Sequence, residues 1–185
     1  RGRAIAYALA VLAAVTALSA LPQERSAPGR TRIDVEKYVL DAELDPRAHR
    51  LHARARIHLV PQEDALNVTF ELNNNLSPTK VTDAGGNTIP AQRFQQDGSV
   101  RLNFDRPLAK GQNAVINLEY DGVLAGGENQ PVEGLKLAYV GDQVSYLLYP
   151  GRWFPVAGYQ VDRFAAEMNI TVPAGTFLCV VVKVR

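Results

Sequence analysis

The sequence has little cysteine and almost no excess charge, and each shortage excludes a class of protein. Its 185 residues include a single cysteine, Cys179, which permits neither an internal disulfide nor a metal cage of thiolates. Because Cys179 lies in an apolar run, we interpret it as a small buried hydrophobic residue. The formal net charge of +1 comes without a cluster of lysine and arginine, which argues against a nucleic-acid partner.

The sequence motifs of the common hydrolases and nucleotide-binding enzymes are also missing. There is no H-E-x-x-H for zinc, no G-x-S-x-G and no glycine loop for phosphate. The three histidines are His49, His52 and His58, and His49 falls in a predicted turn. On an extended strand His52 and His58 share a face but stand about 20 Å apart, too far to bind one ion. The sequence therefore predicts neither catalytic residues nor a metal site in this chain.

Residues 1–30 have the pattern of an export signal followed by a short linker. Arg1 and Arg3 precede an uncharged apolar stretch from residue 4 to residue 21, and Ala17 and Ser19 have the spacing that signal peptidase recognises. If it stays uncleaved, the stretch approaches the ~20 residues that span a bilayer and would act as a membrane anchor. We therefore expect an exported domain over residues 31–185, which is periplasmic, extracellular or membrane-anchored.

From residue 32 onward, apolar and polar residues alternate as they do in strands that bury one face. In RLHARARIHLV, the apolar face consists of Leu51, Ala53, Ala55, Ile57 and Leu59. Similar alternation runs through Tyr38, Leu40, Ala42 and Leu44; through Leu66, Val68, Phe70 and Leu72; through Val100, Leu102 and Phe104; through Ile116, Leu118 and Tyr120; and through Phe164, Ala166, Met168, Ile170 and Val172. The pattern predicts an all-β domain, an antiparallel sheet or β-sandwich of roughly eight to eleven strands.

The segment YPGRWFP, residues 149–155, contains the only tryptophan of the chain and two of its eleven prolines. Proline removes a backbone donor and favours an extended conformation for the residue before it, here Tyr149 and Phe154. We therefore predict an ordered crossing segment in place of a regular strand or helix.

The strand motifs follow one another in a distinctive order. A long hairpin, IDVEKYVLDAELDPRAHRLHARARIHL, precedes ALNVTFELNNNLSPTKVTDAGG, VRLNFDRPLAKGQNAVINLEYDGVL and YPGRWFPVAGYQVDRFAAEMNITVPAG. Over residues 32–175 this order resembles the amino-terminal β-domain of the aminopeptidase N family of zinc exopeptidases, the gluzincins. In that family an aromatic-proline crossing precedes a strand that ends in a valine-proline-x-glycine turn, and WFP and ITVPAG occupy those places.

The resemblance implies a saddle-shaped β-domain that covers a separate catalytic domain. That domain would carry the zinc ligands and a Gly-x-Met-Glu-Asn segment, neither of which is in this sequence, so zinc and the peptide substrate are expected there. We therefore expect a β-domain that is truncated at its carboxyl end. Family members also hold the free amine of the substrate with a glutamate or glutamine just before the crossing. Here the positions nearest the crossing are Tyr146, Leu147 and Leu148, and Asp142 and Gln143 lie further upstream.

The resemblance makes five residues candidates for the substrate cleft or the domain junction: Gln143, Tyr149, Arg152, Trp153 and Phe154. Under this hypothesis Trp153 is partly exposed in the β-domain by itself, and the alternative is that Trp153 closes the end of the β-core. A second hypothesis is a free-standing exported β-sandwich that binds a protein or a glycan. Its exposed aromatic contacts would be Tyr149, Trp153 and Tyr159.

Overall fold

A computed structural model of the chain describes residues 31–126, 136–157 and 163–175 and the backbone of residues 178–180. The predicted export segment (residues 1–30), Tyr159 and the side chain of Cys179 lie outside the described residues. Eleven strands are described: β1 (Ile33–Asp45), β2 (Arg50–Pro61), β3 (Ala65–Glu71), β4 (Leu76–Asp83), β5 (Ala91–Phe94), β6 (Ser99–Leu108), β7 (Ala114–Val123), β8 (Ala138–Tyr139), β9 (Ser145–Leu147), β10 (Ala165–Thr171) and β11 (Leu178–Val180).

The strands form three sheets, which confirms the predicted all-β fold. A five-stranded sheet has the order β10-β1-β2-β7-β4, and two three-stranded sheets have the orders β3-β6-β5 and β11-β9-β8. Most neighbouring strands are antiparallel, but β10 runs parallel to β1 and β11 parallel to β9. The buried faces of the sheets contribute to one hydrophobic core, as in a sandwich.

The long hairpin of β1 and β2 lies at the centre of the larger sheet, as its alternation predicted. All five apolar residues predicted on the inner face of β2 are 0–1% exposed, whereas Arg50, His52, Arg54 and Arg56 face solvent. Residues 45–49 make the turn, where His49 has a positive φ of 53°. The His49 Nδ1 lies 2.7 Å from the Val140 carbonyl oxygen, a hydrogen bond that joins the hairpin to the segment after β8.

The basic outer face of β2 is flanked by acidic residues of neighbouring strands. Arg54 lies 3.2 Å from Glu119 of β7, and Arg50 pairs with Asp121 of the same strand. Because these ion pairs are solvent-exposed on the arginine side, each contributes less than about 1 kcal/mol to stability. The outer face of β2, together with the neighbouring residues of β7, is therefore a solvated surface of mixed charge.

The inward position predicted for Leu66 is wrong. Its side chain is 56% exposed, while Ala65 is buried and Val68 and Phe70 are fully buried. The register between β3 and β6 shifts between Ala65 and Asn67. This β-bulge reverses the alternation at one residue, which a strict period of two does not anticipate.

Within the part of the chain described above, no helix has the length and hydropathy needed to cross a bilayer.

Candidate functional site

The crossing segment is ordered and irregular, as predicted, and a tight turn shapes it. The Gly151 amide donates to the Phe154 carbonyl at 3.0 Å, and the Arg152 amide donates to the Tyr149 carbonyl at 3.1 Å. Gly151 has a φ of +79°, and a Cβ atom there would lie 3.2 Å from the carboxyl carbon of Glu71. Both the backbone conformation and the close approach of Glu71 therefore favour glycine at this position.

Glu71, the last residue of β3, joins the crossing segment to the sheet through its backbone and its side chain. Its amide donates to the Val156 carbonyl at 2.7 Å, and the Val156 amide donates to the Glu71 carbonyl at 3.0 Å. The Glu71 carboxylate lies 3.3 Å from the Arg152 guanidinium, and the two side chains are only 6% and 13% exposed. The Asn73 side chain adds a hydrogen bond of 3.2 Å to the Arg152 carbonyl. The end of β3 thus fixes both the path of the crossing segment and the direction of Arg152.

The loop that follows Glu71 is itself held in place by Arg93 of β5. The Arg93 guanidinium donates to the Leu72 carbonyl at 2.8 Å and to the Asn73 carbonyl at 3.3 Å, and it also bonds to the Leu76 carbonyl. Partial burial lowers the pKa of the Arg93 guanidinium. Two arginines therefore stabilise this loop. Arg93 binds the backbone carbonyls of the loop, and Arg152 pairs with Glu71, which precedes the loop.

Arg152→Ala is expected to destabilise the domain by about 3 kcal/mol, because it removes the guanidinium that pairs with the buried Glu71 carboxylate. Arg54→Ala is the matched control, since Arg54 also pairs with a carboxylate at 3.2 Å but is 57% exposed. The control should cost less than about 1 kcal/mol. Urea unfolding followed by circular dichroism measures both. Equal losses would show that the Glu71–Arg152 pair behaves like a surface pair.

Trp153 and Phe154 anchor the crossing segment in the core. They are 2% and 1% exposed, and their rings meet edge to face with centroids 4.8 Å apart. The Phe154 ring also packs on the Tyr38 ring, with centroids 5.4 Å apart. Phe164 packs on the same tyrosine ring, with centroids 4.9 Å apart. Burial raises the pKa of the Tyr38 phenol, and a hydrogen bond with the Ala157 backbone partly offsets this effect.

The expected partial exposure of Trp153 is therefore wrong, because Trp153 is buried in the β-core. The burial also weakens the hypothesis of an aromatic binding surface. Of its three aromatic contacts, Trp153 is buried, Tyr159 lies outside the described residues, and Tyr149 is 40% exposed. That Trp153 and Phe154 border a domain junction stays a prediction.

The five predicted site residues lie on two segments of the chain. Arg152, Trp153 and Phe154 are consecutive on the crossing segment, and Tyr149 begins its turn. Gln143 is exposed on the connection between β8 and β9. That connection is closed by Ser145, whose hydroxyl accepts from the Gly141 amide at 3.1 Å. Gln143 therefore belongs to a separate exposed turn, and its role in amine recognition stays a prediction.

Sequence reasoning missed Glu71 and Asn73, which position the crossing segment. Alternation puts Glu71 on the face of β3 opposite Phe70 and Leu72, where a carboxylate is normally solvated. The crossing segment, some 80 residues later in the sequence, covers that position and buries it. The run of asparagines after β3 was a signal for Asn73, because asparagine side chains often bond to nearby backbone, as Asn73 does by accepting from the Asn75 amide at 3.1 Å.

The described residues do not fit a zinc site. Across residues 31–126, 136–157 and 163–175, no three histidine, cysteine, aspartate or glutamate side chains are grouped so that they could hold a metal ion. His49 is bonded to Val140, and His52 faces solvent on β2.

Comparison with solved structures identifies a shared fold. The M1 zinc metallopeptidase from Deinococcus radiodurans matches with a TM-score of 0.65 and 19% identity, over 80% of this chain and 34% of that one. A mutant of the enzyme from the same organism, bound to a Tyr-Ser-Ala substrate, matches with a TM-score of 0.65 and 17% identity over 80% and 35%. A two-domain M1 zinc metallopeptidase mutant bound to L-arginine matches with a TM-score of 0.65 and 18% identity over the same shares.

The chain spans about a third of the length of these peptidases. No family model matches it, and a search of curated proteins finds no match. At this level of identity the likeness establishes the fold. The resemblance that the order of the strand motifs predicted is confirmed to that extent: the chain has a fold that M1 zinc metallopeptidases share over about a third of their length.

Proposed function

We propose that this chain is a non-catalytic β-domain of an exported zinc aminopeptidase, and that it covers and shapes the entrance to an active site carried by another domain. The observation that carries the proposal is the structural match over 80% of this chain but only 35% of the matched peptidase. A domain that corresponds to a third of an enzyme is expected to contribute a surface to a site whose reacting groups lie in the remaining two thirds.

The absence of a metal-binding group from the described residues supports this division of roles. The related enzyme carries a peptide, Tyr-Ser-Ala, as its substrate. We accordingly propose a peptide with a free amino terminus as the substrate class, bound mainly by the catalytic domain. Zinc, held there, would polarise the scissile carbonyl and activate water.

The crossing segment is the part of this domain that we place at the entrance. Trp153 and Phe154 anchor it in the core, and the Glu71–Arg152 pair fixes its path. Tyr149 is then presented at 40% exposure on a rigid support, which suits a side chain that borders a substrate cleft. Gln143, exposed on the connection between β8 and β9, is the amide candidate for the substrate amine.

The test combines the gene and the purified chain. The reading frame downstream of residue 185 is expected to encode H-E-x-x-H and a further glutamate ligand. The 185-residue chain alone should release no fluorophore from alanyl- or leucyl-aminomethylcoumarin, with or without added zinc. A frame that ends without a zinc motif would contradict the proposal, as would chain-only turnover that a chelator abolishes.

A further inference from the structure

His49 ends the turn between β1 and β2 in a backbone conformation that suits glycine better than histidine. Its φ of +53° lies in the left-handed region, where a Cβ atom is disfavoured. Every other described residue with a positive φ is a glycine. An unfavourable backbone conformation persists where surrounding contacts impose it, so the contacts of the His49 side chain need an explanation.

Three hydrogen bonds connect His49 to the residues that follow β7 and β8 in a closed cycle. The Leu124 amide donates to the His49 carbonyl at 2.7 Å, and the Val140 amide donates to the Leu124 carbonyl at 2.8 Å. The His49 Nδ1, 2.7 Å from the Val140 carbonyl oxygen, closes the cycle. Because a carbonyl oxygen only accepts, Nδ1 carries the proton. The neutral ring is therefore the Nδ1–H tautomer.

The His49 ring also begins a row of three rings that crosses the β8–β9 hairpin. The centroids of the His49 and Tyr139 rings are 6.1 Å apart, and those of Tyr139 and Tyr146 are 5.5 Å apart. The two tyrosines are direct partners in the antiparallel pair of β8 and β9. Among the described strands, neither β8 nor β9 pairs with a strand of the five-stranded sheet. Contacts such as those of His49 therefore orient the hairpin relative to that sheet.

The connection between β8 and β9 is closed by hydrogen bonds of its own. The Ser145 hydroxyl accepts from the Gly141 amide at 3.1 Å and donates to the Gly141 carbonyl at 3.3 Å. Gly141 and Ser145 are buried, whereas Gln143 between them is exposed. Because this closed connection begins at Val140, the direction of Gln143 follows the position of Val140.

We infer that His49 is a positioning residue: its Nδ1–H holds the β8–β9 hairpin against the five-stranded sheet and thereby sets the direction of Gln143. The importance of that direction for a substrate rests on the proposed function, in which Gln143 meets the substrate amine. The positioning itself does not, and it can be measured in this chain.

Three substitutions at His49 separate its donor from its backbone conformation, because glycine, asparagine and aspartate all accept a positive φ more readily than other residues. In His49→Asn the amide nitrogen is attached to the γ carbon, as Nδ1 is in histidine, so a donor stays in a similar place. His49→Asp puts an oxygen there, which cannot donate to the Val140 carbonyl when ionised. His49→Gly removes the side chain and relaxes the backbone.

Amide hydrogen exchange, followed by NMR in the full 185-residue chain, measures the effect. In His49→Asp and His49→Gly, the Val140 and Gly141 amides should exchange about tenfold faster than in the unaltered chain. In His49→Asn they should stay within about threefold of it. The amides of Ala55 and Ile57, at the centre of the five-stranded sheet, are the internal control and should keep their rates in all three variants.

Nitrogen-15 spectra of the imidazole give a second readout, in which neutral His49 should show the Nδ1–H tautomer. An Nε2–H tautomer would overturn the inference. Equal exchange at Val140 and Gly141 in the three variants would also overturn it, because His49 would then matter only for the turn. So would an equal rise at Ala55 and Ile57, because His49 would then support the whole fold. None of these outcomes depends on whether the chain is part of an aminopeptidase.

Discussion

Ile57→Asp is expected to destabilise the domain by more than about 5 kcal/mol, enough to abolish folding in a domain of ordinary stability. Ile57 is 0% exposed at the centre of β2, between Tyr38 of β1 and Ile116 of β7. Both of these neighbours are 1% exposed. The substitution removes a packed apolar side chain and adds a carboxylate in a region that offers it no cation, so the two penalties add.

Arg56→Asp is the control, since it places the same carboxylate one residue away on the opposite face. Arg56→Asp should lower the free energy of unfolding by only about 1 kcal/mol, because the new carboxylate remains in water. The lost hydrogen bond to Asn117, 3.2 Å long, contributes part of that cost. Urea unfolding followed by circular dichroism compares the variants. Similar midpoints for the two would contradict the assignment of faces on β2.

The parts of the fold that could be predicted share one physical property. β2 alternates along its whole length, β1 does so from Tyr38 onward and β7 from Ile116 to Tyr120, and each of these stretches buries one face. In such strands a shift by one residue would exchange the buried and exposed faces, which makes the pattern unambiguous. The turn at residues 45–49 could be predicted equally well, because turn residues act through local backbone preferences.

Other features depend on contacts between residues distant in the sequence. β4 shows no clean alternation because Pro78 and Lys80 flank a bulge, and we did not predict it as a strand. The parallel pairing of β10 with β1 joins segments about 130 residues apart. Alternation identifies the buried face of a strand but carries no information about its partner or direction.

The candidate site shows the same limit. The prolines and the tryptophan of residues 149–155 predicted an ordered crossing segment because their constraints are local. The residue that anchors it, Glu71, looks like an ordinary solvated carboxylate until the crossing segment covers it. The burial of Trp153 likewise depends on contacts between distant segments: its ring packs on Phe154, which in turn contacts Tyr38 of β1. The candidate residues of the crossing segment could be named from the sequence, but their exposure and their contact with Glu71 could not.

Trp153→Ala is expected to cost the domain about 3 to 5 kcal/mol, the range for emptying a core site of a large aromatic side chain. Trp153 is among the largest fully buried side chains, at 2% exposure, and its ring packs edge to face on Phe154. Truncation leaves a cavity bounded by the rigid crossing segment. The Glu71–Arg152 pair and the two hydrogen bonds between Glu71 and Val156 oppose its collapse.

Tyr149→Ala provides the control on the same segment, because Tyr149 is 40% exposed and its backbone turn does not require the side chain. It should cost less than about 1 kcal/mol in denaturant unfolding. Trp153 is also the only tryptophan, so its fluorescence reports on this site alone. In the folded chain we expect blue-shifted emission that acrylamide quenches poorly, and Tyr149→Ala should leave it unchanged. Red-shifted, readily quenched emission would mean that water reaches Trp153 and would contradict its burial. In that case Trp153→Ala should also lower the free energy of unfolding only slightly, because little packed surface would be lost.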